Sequence, residues 1–130
     1  MKLSRRTDYA LRAVRNIAGL PKGTLGTIKG IAQAESLPPN FLAKILKDLT
    51  FAGILSSFHG ITGGYRLARP PKKITYLEVI EAMEGPMHLS LCTGAKGCAC
   101  RKDDKSRLHQ FWVAQEQAVR NALQKKHFGG

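Results

Sequence analysis

The stretch ILSSFHGITGGYRLARP, residues 54–70, constrains this chain more than any other. It starts as a half-buried strand, breaks at Gly60 and again at Gly63-Gly64, and resumes as YRLAR. That pattern predicts a β-hairpin with a flexible, basic tip. Its glycines permit positive φ and bring the backbone close to a phosphate or a minor groove with no Cβ in the way. A glycine-broken hairpin alone is weak evidence, so its meaning depends on what surrounds it.

Three helical patterns precede it. Ser4 is a suitable N-cap for a helix over about residues 5–19, where Tyr9, Ala10, Ala13, Val14, Ile17 and Ala18 recur at three- and four-residue spacing. Gly19, Pro21, Gly23 and Gly26 then break the chain, and Thr27 caps a short helix carrying Ile28, Ile31 and Ala32. Pro38 and Pro39 suit the first turn of a third helix, with Phe41, Leu42, Ile45, Leu46 and Leu49 on its apolar face and an end near Gly53. Two short helices joined by a tight turn form a helix-turn-helix, whose second helix enters the DNA major groove. The hairpin behind it then reads as a wing. Charge agrees: 21 Lys+Arg against 9 Asp+Glu leave a formal +12 on 130 residues, a balance that favours a polyanionic partner.

Downstream, TYLEVIEAMEG predicts a further helix with a Thr75/Glu78 capping box and a stop at Gly85. A long helix of about 24 residues, about 36 Å, is expected over 104–127. Leu108, Phe111, Trp112, Gln115, Val119, Ala122 and Leu123 form its stripe, in which Gln115 alone is polar. That length exceeds what a small winged helix needs for itself, so it predicts pairing with a second copy and a two-fold dimer on a pseudo-palindromic double-stranded operator. The expected fold class is mainly α with a small β-hairpin wing: a winged helix-turn-helix plus a long C-terminal dimerisation helix. The expected divisions are a DNA-binding domain at 1–85, a cysteine-rich loop at 86–103, the dimerisation helix at 104–127 and a tail at 128–130.

All three cysteines, Cys92, Cys98 and Cys100, fall within LCTGAKGCACRKDD. No 18-residue apolar run exists, and the basic start MKLSRRTDYAL leads into an amphipathic pattern with no signal-peptide core. The protein is therefore expected in the cytoplasm without a membrane partner, where thiols stay reduced and an odd number cannot all pair. Thiolates gathered on a Gly/Lys loop suit a soft or borderline metal, and the nearby Lys96, Arg101 and Lys102 are expected to favour the thiolate form. Zinc held by the three cysteines and His109 is one option, although the spacings differ from those usual in structural zinc sites. An iron–sulfur cluster is the other. A nucleophilic cysteine enzyme with His109 as base is disfavoured, since the chain has neither a C-x-x-C motif nor a phosphate loop.

The segments MKLSRRTDYALRAV, LPPNFLAKILKDLTFAGILSS, GITGGYRLAR, TYLEVIEAMEG and CTGAKGC together resemble the Rrf-two-type winged-helix transcriptional regulators, a family that includes IscR, NsrR, RirA and CymR. The resemblance spans residues 1 to about 125. It implies a homodimeric bacterial transcription factor and, in many members, an iron–sulfur cluster in the cysteine loop, of the four-iron or two-iron type. The signals it implies are redox state, nitric oxide or iron and cluster supply. Cluster-bearing members place a third cysteine about five residues after the second; here Cys100 follows Cys98 after a single residue, and Ser106 stands near the usual place. For the fourth ligand, Asp8 matches the position where NsrR-like members present a carboxylate from the other subunit, and His109 the imidazole position of IscR-like members. The alternative is a cluster-free regulator, similar to CymR-like members, that senses through thiol oxidation or a protein partner. Expected DNA contacts are Pro39, Asn40, Phe41, Lys44 and Lys47 from the third helix, and His59, Thr62 and Arg66 from the wing. Lys2, Arg5 and Arg6 are expected at phosphates. Asn40 has the geometry for a bidentate contact to adenine, and the lysines for guanine or backbone.

Overall fold

The computed structural model describes residues 3–89 and 107–129. Lys2, Cys92, Cys98, Cys100 and residues 104–106 of the expected long helix lie outside the described residues. Helix α1, Arg5–Ala18, begins where the Ser4 hydroxyl accepts the Thr7 N–H at 3.2 Å. Its Ala10, Ala13, Val14 and Ile17 are buried against the following helices. In α2, Ile28–Glu35, Thr27 caps as expected, its hydroxyl accepting from the Gly30 N–H at 3.0 Å.

The turn out of α2 uses a device the sequence concealed. Ser36 takes the left-handed conformation, φ 55° and ψ 50°, which glycine normally supplies, while the Leu37 N–H closes onto the Ala32 carbonyl at 3.0 Å. Leu37 is thereby driven into the core. Helix α3, Pro39–Phe51, then starts on a proline whose missing N–H costs nothing at that position, and buries Leu42, Ile45, Leu46 and Leu49.

Strands β1, Leu55–Phe58, and β2, Gly64–Leu67, pair antiparallel with Leu55 opposite Leu67 and Phe58 opposite Gly64. On its other side β2 meets Gly26: the Gly26 N–H donates to the Tyr65 carbonyl at 2.7 Å, and the Tyr65 N–H donates back at 2.8 Å. The hairpin tip differs from expectation. It carries no Lys or Arg between His59 and Arg66, and its backbone is tightly packed: a Cβ on Gly63 would stand 2.2 Å from the Phe58 carbonyl oxygen.

A 3-10 turn at Pro71–Lys73 leads to α4, Tyr76–Glu84, where Thr75 caps by accepting the Glu78 N–H at 3.2 Å. The second half of the expected capping box is replaced, because the Glu78 carboxylate pairs with Arg69. Helix α5 runs Arg107–Lys125 and ends before the expected 127. Residues 126–128 leave it to form an extra bridge: the Tyr76 N–H donates to the Lys126 carbonyl at 2.9 Å, and Phe128 stacks on Tyr76 with ring centres 4.6 Å apart. Those bonds to α4 compete successfully with one more half-turn of helix. No helix among the described residues is long and apolar enough to cross a membrane.

Candidate nucleic-acid interface and sensor residues

With Leu42, Ile45, Leu46 and Leu49 facing the core, helical spacing turns Asn40, Lys44 and Lys47 outward together, and all three are exposed. Pro39 is exposed at the start of the same helix. Phe41 sits between the two faces; its ring meets Tyr9 of α1 edge-on at 5.7 Å, so it braces α3 against α1 as well as bordering the surface. Phe51 continues the outward row by one turn and is 96% exposed, an apolar residue absent from the expected contacts. Its spacing from Asn40, Lys44 and Lys47 was the available signal.

The wing stands beside this row. A groove of about 640 Å³ separates the two, bordered by Thr27, Lys47 and Phe51 on one side and by Phe58, His59 and Tyr65 on the other. Arg66 lies over the Phe58 ring at 4.7 Å, a cation–π contact that draws the guanidinium toward the tip end of β1. His59 and Thr62 are exposed at the tip. Of the α3 and wing residues expected at DNA, Lys47 and His59 line this groove; Pro39, Asn40, Phe41, Lys44, Thr62 and Arg66 are exposed outside its lining.

The N-terminal basic residues divide. Arg5 is exposed. Arg6, expected at a phosphate, is engaged inside the fold: one amino group meets Asp48 Oδ2 of α3 at 2.6 Å, and the other donates to the Met83 carbonyl of α4 at 2.9 Å. Beside it, the Glu84 carboxylate accepts from the Ser4 and Thr7 hydroxyls and from the Ser4 N–H. Those hydroxyls, Ser4's first, hold the Glu84 carboxyl below the usual carboxylate range.

The last turn of α4, from which the cysteine loop departs, is therefore fastened to the start of α1. The approach to that loop is fastened on its other flank too. The Met87 N–H donates to Glu81 Oε2 at 2.9 Å, Arg120 of α5 reaches the same oxygen at 2.8 Å, and the Leu89 N–H donates to Glu116 of α5 at 3.0 Å. Burial pushes the Glu81 carboxyl up, but the Met87 N–H and Arg120 outweigh it and leave it below the usual range. Of the two candidate fourth ligands, Asp8 is half-exposed on α1 and pairs with Arg12 at 3.1 Å, and His109 is half-buried near the start of α5. Among the described residues no three His, Cys, Asp or Glu side chains gather at metal-binding range.

A helix-turn-helix followed by a two-stranded wing, with an exposed polar and basic face on the second helix, defines a winged-helix DNA-binding protein. The family model described as the iron-dependent transcriptional regulator Rrf2 matches residues 3–129, and the chain belongs to that family. Its relatives are transcriptional regulators, a non-enzymatic class. It is 36% identical over 87 residues to the HTH-type transcriptional regulator Rv1287 of Mycobacterium tuberculosis, which covers 67% of this chain and 54% of the relative. It is 32% identical over 108 residues to the HTH-type transcriptional regulator NsrR of Shouchella clausii, covering 83% of this chain and 72% of that one. The solved structure of CymR (YrzC), the global cysteine regulator of B. subtilis, superposes with a TM-score of 0.83 at 25% identity over 98% of this chain and 93% of that one. This chain spans about half the length of the first of these relatives, 54%.

Proposed function

We propose that the chain acts as a homodimeric regulator on a double-stranded operator, and that its cysteine loop holds an iron–sulfur cluster through which it senses redox state, nitric oxide or iron and cluster supply. Pro39, Asn40, Phe41, Lys44 and Lys47 face the major groove, while His59, Thr62 and Arg66 follow the adjacent backbone and minor groove. Arg5 meets a phosphate. The observation that carries a sensing role is the fastening around the last turn of α4. Ser4 and Thr7 hold Glu84, and Arg6 ties Met83 to Asp48 on the recognition helix. A change in the loop that begins just after this turn is thus communicated to α1 and α3 through hydrogen bonds rather than across solvent.

The donor chemistry fits the group. Three thiolates from Cys92, Cys98 and Cys100 match the ligation iron–sulfur clusters require, and a carboxylate at Asp8 or an imidazole at His109 completes the set. A bound cluster supplies a redox- and nitric-oxide-reactive centre on the loop. The protein's own residues would transmit its state: with Asp8 of the second copy as ligand the loop would be tied to that copy's α1, and with His109 it would be tied to α5.

The similarity to CymR supports a second reading, in which the thiols themselves respond to oxidation without a cluster. Anaerobic iron and sulfide quantitation with a visible spectrum, on the wild type and on Cys100→Ala, separates the two. Iron and sulfide in the wild type and their loss in the variant are the expected result. A colourless wild type that stays iron-free after reconstitution yet binds DNA overturns the cluster and leaves the thiol reading.

A further inference from the structure

The wing tip is built against the usual rules for a turn. Residues Gly60–Gly63 close on a Gly63 N–H to Gly60 carbonyl bond of 3.0 Å, which places Ile61 and Thr62 at the two corners. Corner positions ordinarily take Pro, Asn, Asp, Ser or Gly, and two β-branched residues there depart from local preference. Such departures concentrate at functional sites. Ile61 is also as exposed as a side chain gets, at 106% of its reference area. It stands on a chain with 21 Lys+Arg, none of which lies between His59 and Arg66, so a fully exposed point on the wing of a basic protein is apolar.

The backbone at Gly63 and Gly64 is also closely packed. A Cβ at Gly63 would collide with the Phe58 carbonyl, one at Gly64 would stand 2.7 Å from the Gly26 carbonyl oxygen, and Arg66 braces Phe58 below. Ile61 is itself restricted at χ1.

We propose that Ile61 is an apolar wedge that enters the minor groove of the operator beside the site read by α3 and partly unstacks one base step, bending the duplex. The proposal rests on the DNA-binding reading and adds to it a specificity that depends on deformability. A wedge favours steps that unstack cheaply, the pyrimidine–purine ones, at a position where the protein makes no base hydrogen bond. Lys47 on the groove wall and the exposed Arg66 of β2 hold the flanking phosphates, and bending brings more of them within reach.

The test uses duplexes that the wild-type protein enriches from a randomised library, with affinity and end-to-end fluorescence energy transfer measured for wild type, Ile61→Ser and Ile61→Leu. Because Ile61 is fully exposed, both variants keep the fold. Ile61→Ser is expected to bind about tenfold more weakly, from the lost burial of one apolar side chain. It should also leave the duplex straighter and enrich pools without the pyrimidine–purine preference at the wing position, whereas Ile61→Leu keeps the bend. Equal bending by wild type and Ile61→Ser overturns the wedge, whether or not affinity falls. Failure of the wild type to enrich any duplex is a different result, and it overturns the DNA-binding reading along with the wedge.

Discussion

Arg6 shows how far a single side chain departs from what its type announces. In the sequence it is one of several N-terminal cations. In the fold its guanidinium joins three helices, because α1 carries it, Asp48 of α3 accepts from it at 2.6 Å, and the Met83 carbonyl at the end of α4 accepts at 2.9 Å. The carbonyl belongs to a last helical turn with few partners within the helix, so the bond satisfies an acceptor that packing would otherwise leave wanting. The ion pair is about a third exposed on each side, which screens it. Arg6→Ala is therefore expected to lower stability by about 1–2 kcal/mol in urea unfolding. Asp48→Ala should add less to Arg6→Ala than it costs alone, since the two share one bond. Equal, additive effects would show that the contact contributes nothing.

Among the elements, α5 is the one whose pattern exceeds its surroundings. None of its residues is buried, and Leu108, Phe111 and Val113 are 57%, 52% and 44% exposed. Its attachments to α4 are polar ones, through Arg120 and Glu81, and its end is held by Phe128 on Tyr76. In the proposed homodimer, this 19-residue helix covers its exposed apolar area with the second copy. Phe111→Asp should convert a dimer to a monomer in sedimentation velocity and abolish tight binding to a two-fold operator while half-site binding persists. An unchanged sedimentation coefficient would remove α5 from the dimer interface.

For the whole molecule, the joints between helices are acid-sensitive in a defined direction. Glu84 and Glu81 both hold folded-state pKa values below their ordinary 4.5. The unfolded chain therefore binds the proton first, and the stability these carboxylates contribute is complete above 4.5 and lost as pH falls through their lowered folded values. Glu84→Gln should flatten the acid limb of a plot of urea midpoint against pH, with little change in its shape near neutrality. An acid limb identical to wild type would remove the Ser4/Thr7/Glu84 joint from the balance.

What the sequence determined by itself was local and periodic. Thr27 and Thr75 cap as their positions demand, the apolar rows of α1 and α3 fill the core, and the glycines of the hairpin mark where the wing turns. Each follows from short-range spacing, which a chain carries wherever it folds. Tertiary structure decided the rest. Glu78 abandons the capping box for Arg69, Ser36 takes a glycine's conformation to seat Leu37, residues 126–128 leave the helix for α4, and Arg6 turns inward to Asp48 and Met83. For Arg6 and residues 126–128 the partner lies across the fold, for Leu37 the gain is burial, and for Glu78 the partner is a cation that the loop before α4 supplies. A local pattern offers several satisfied states of similar energy, and long-range contact selects one of them.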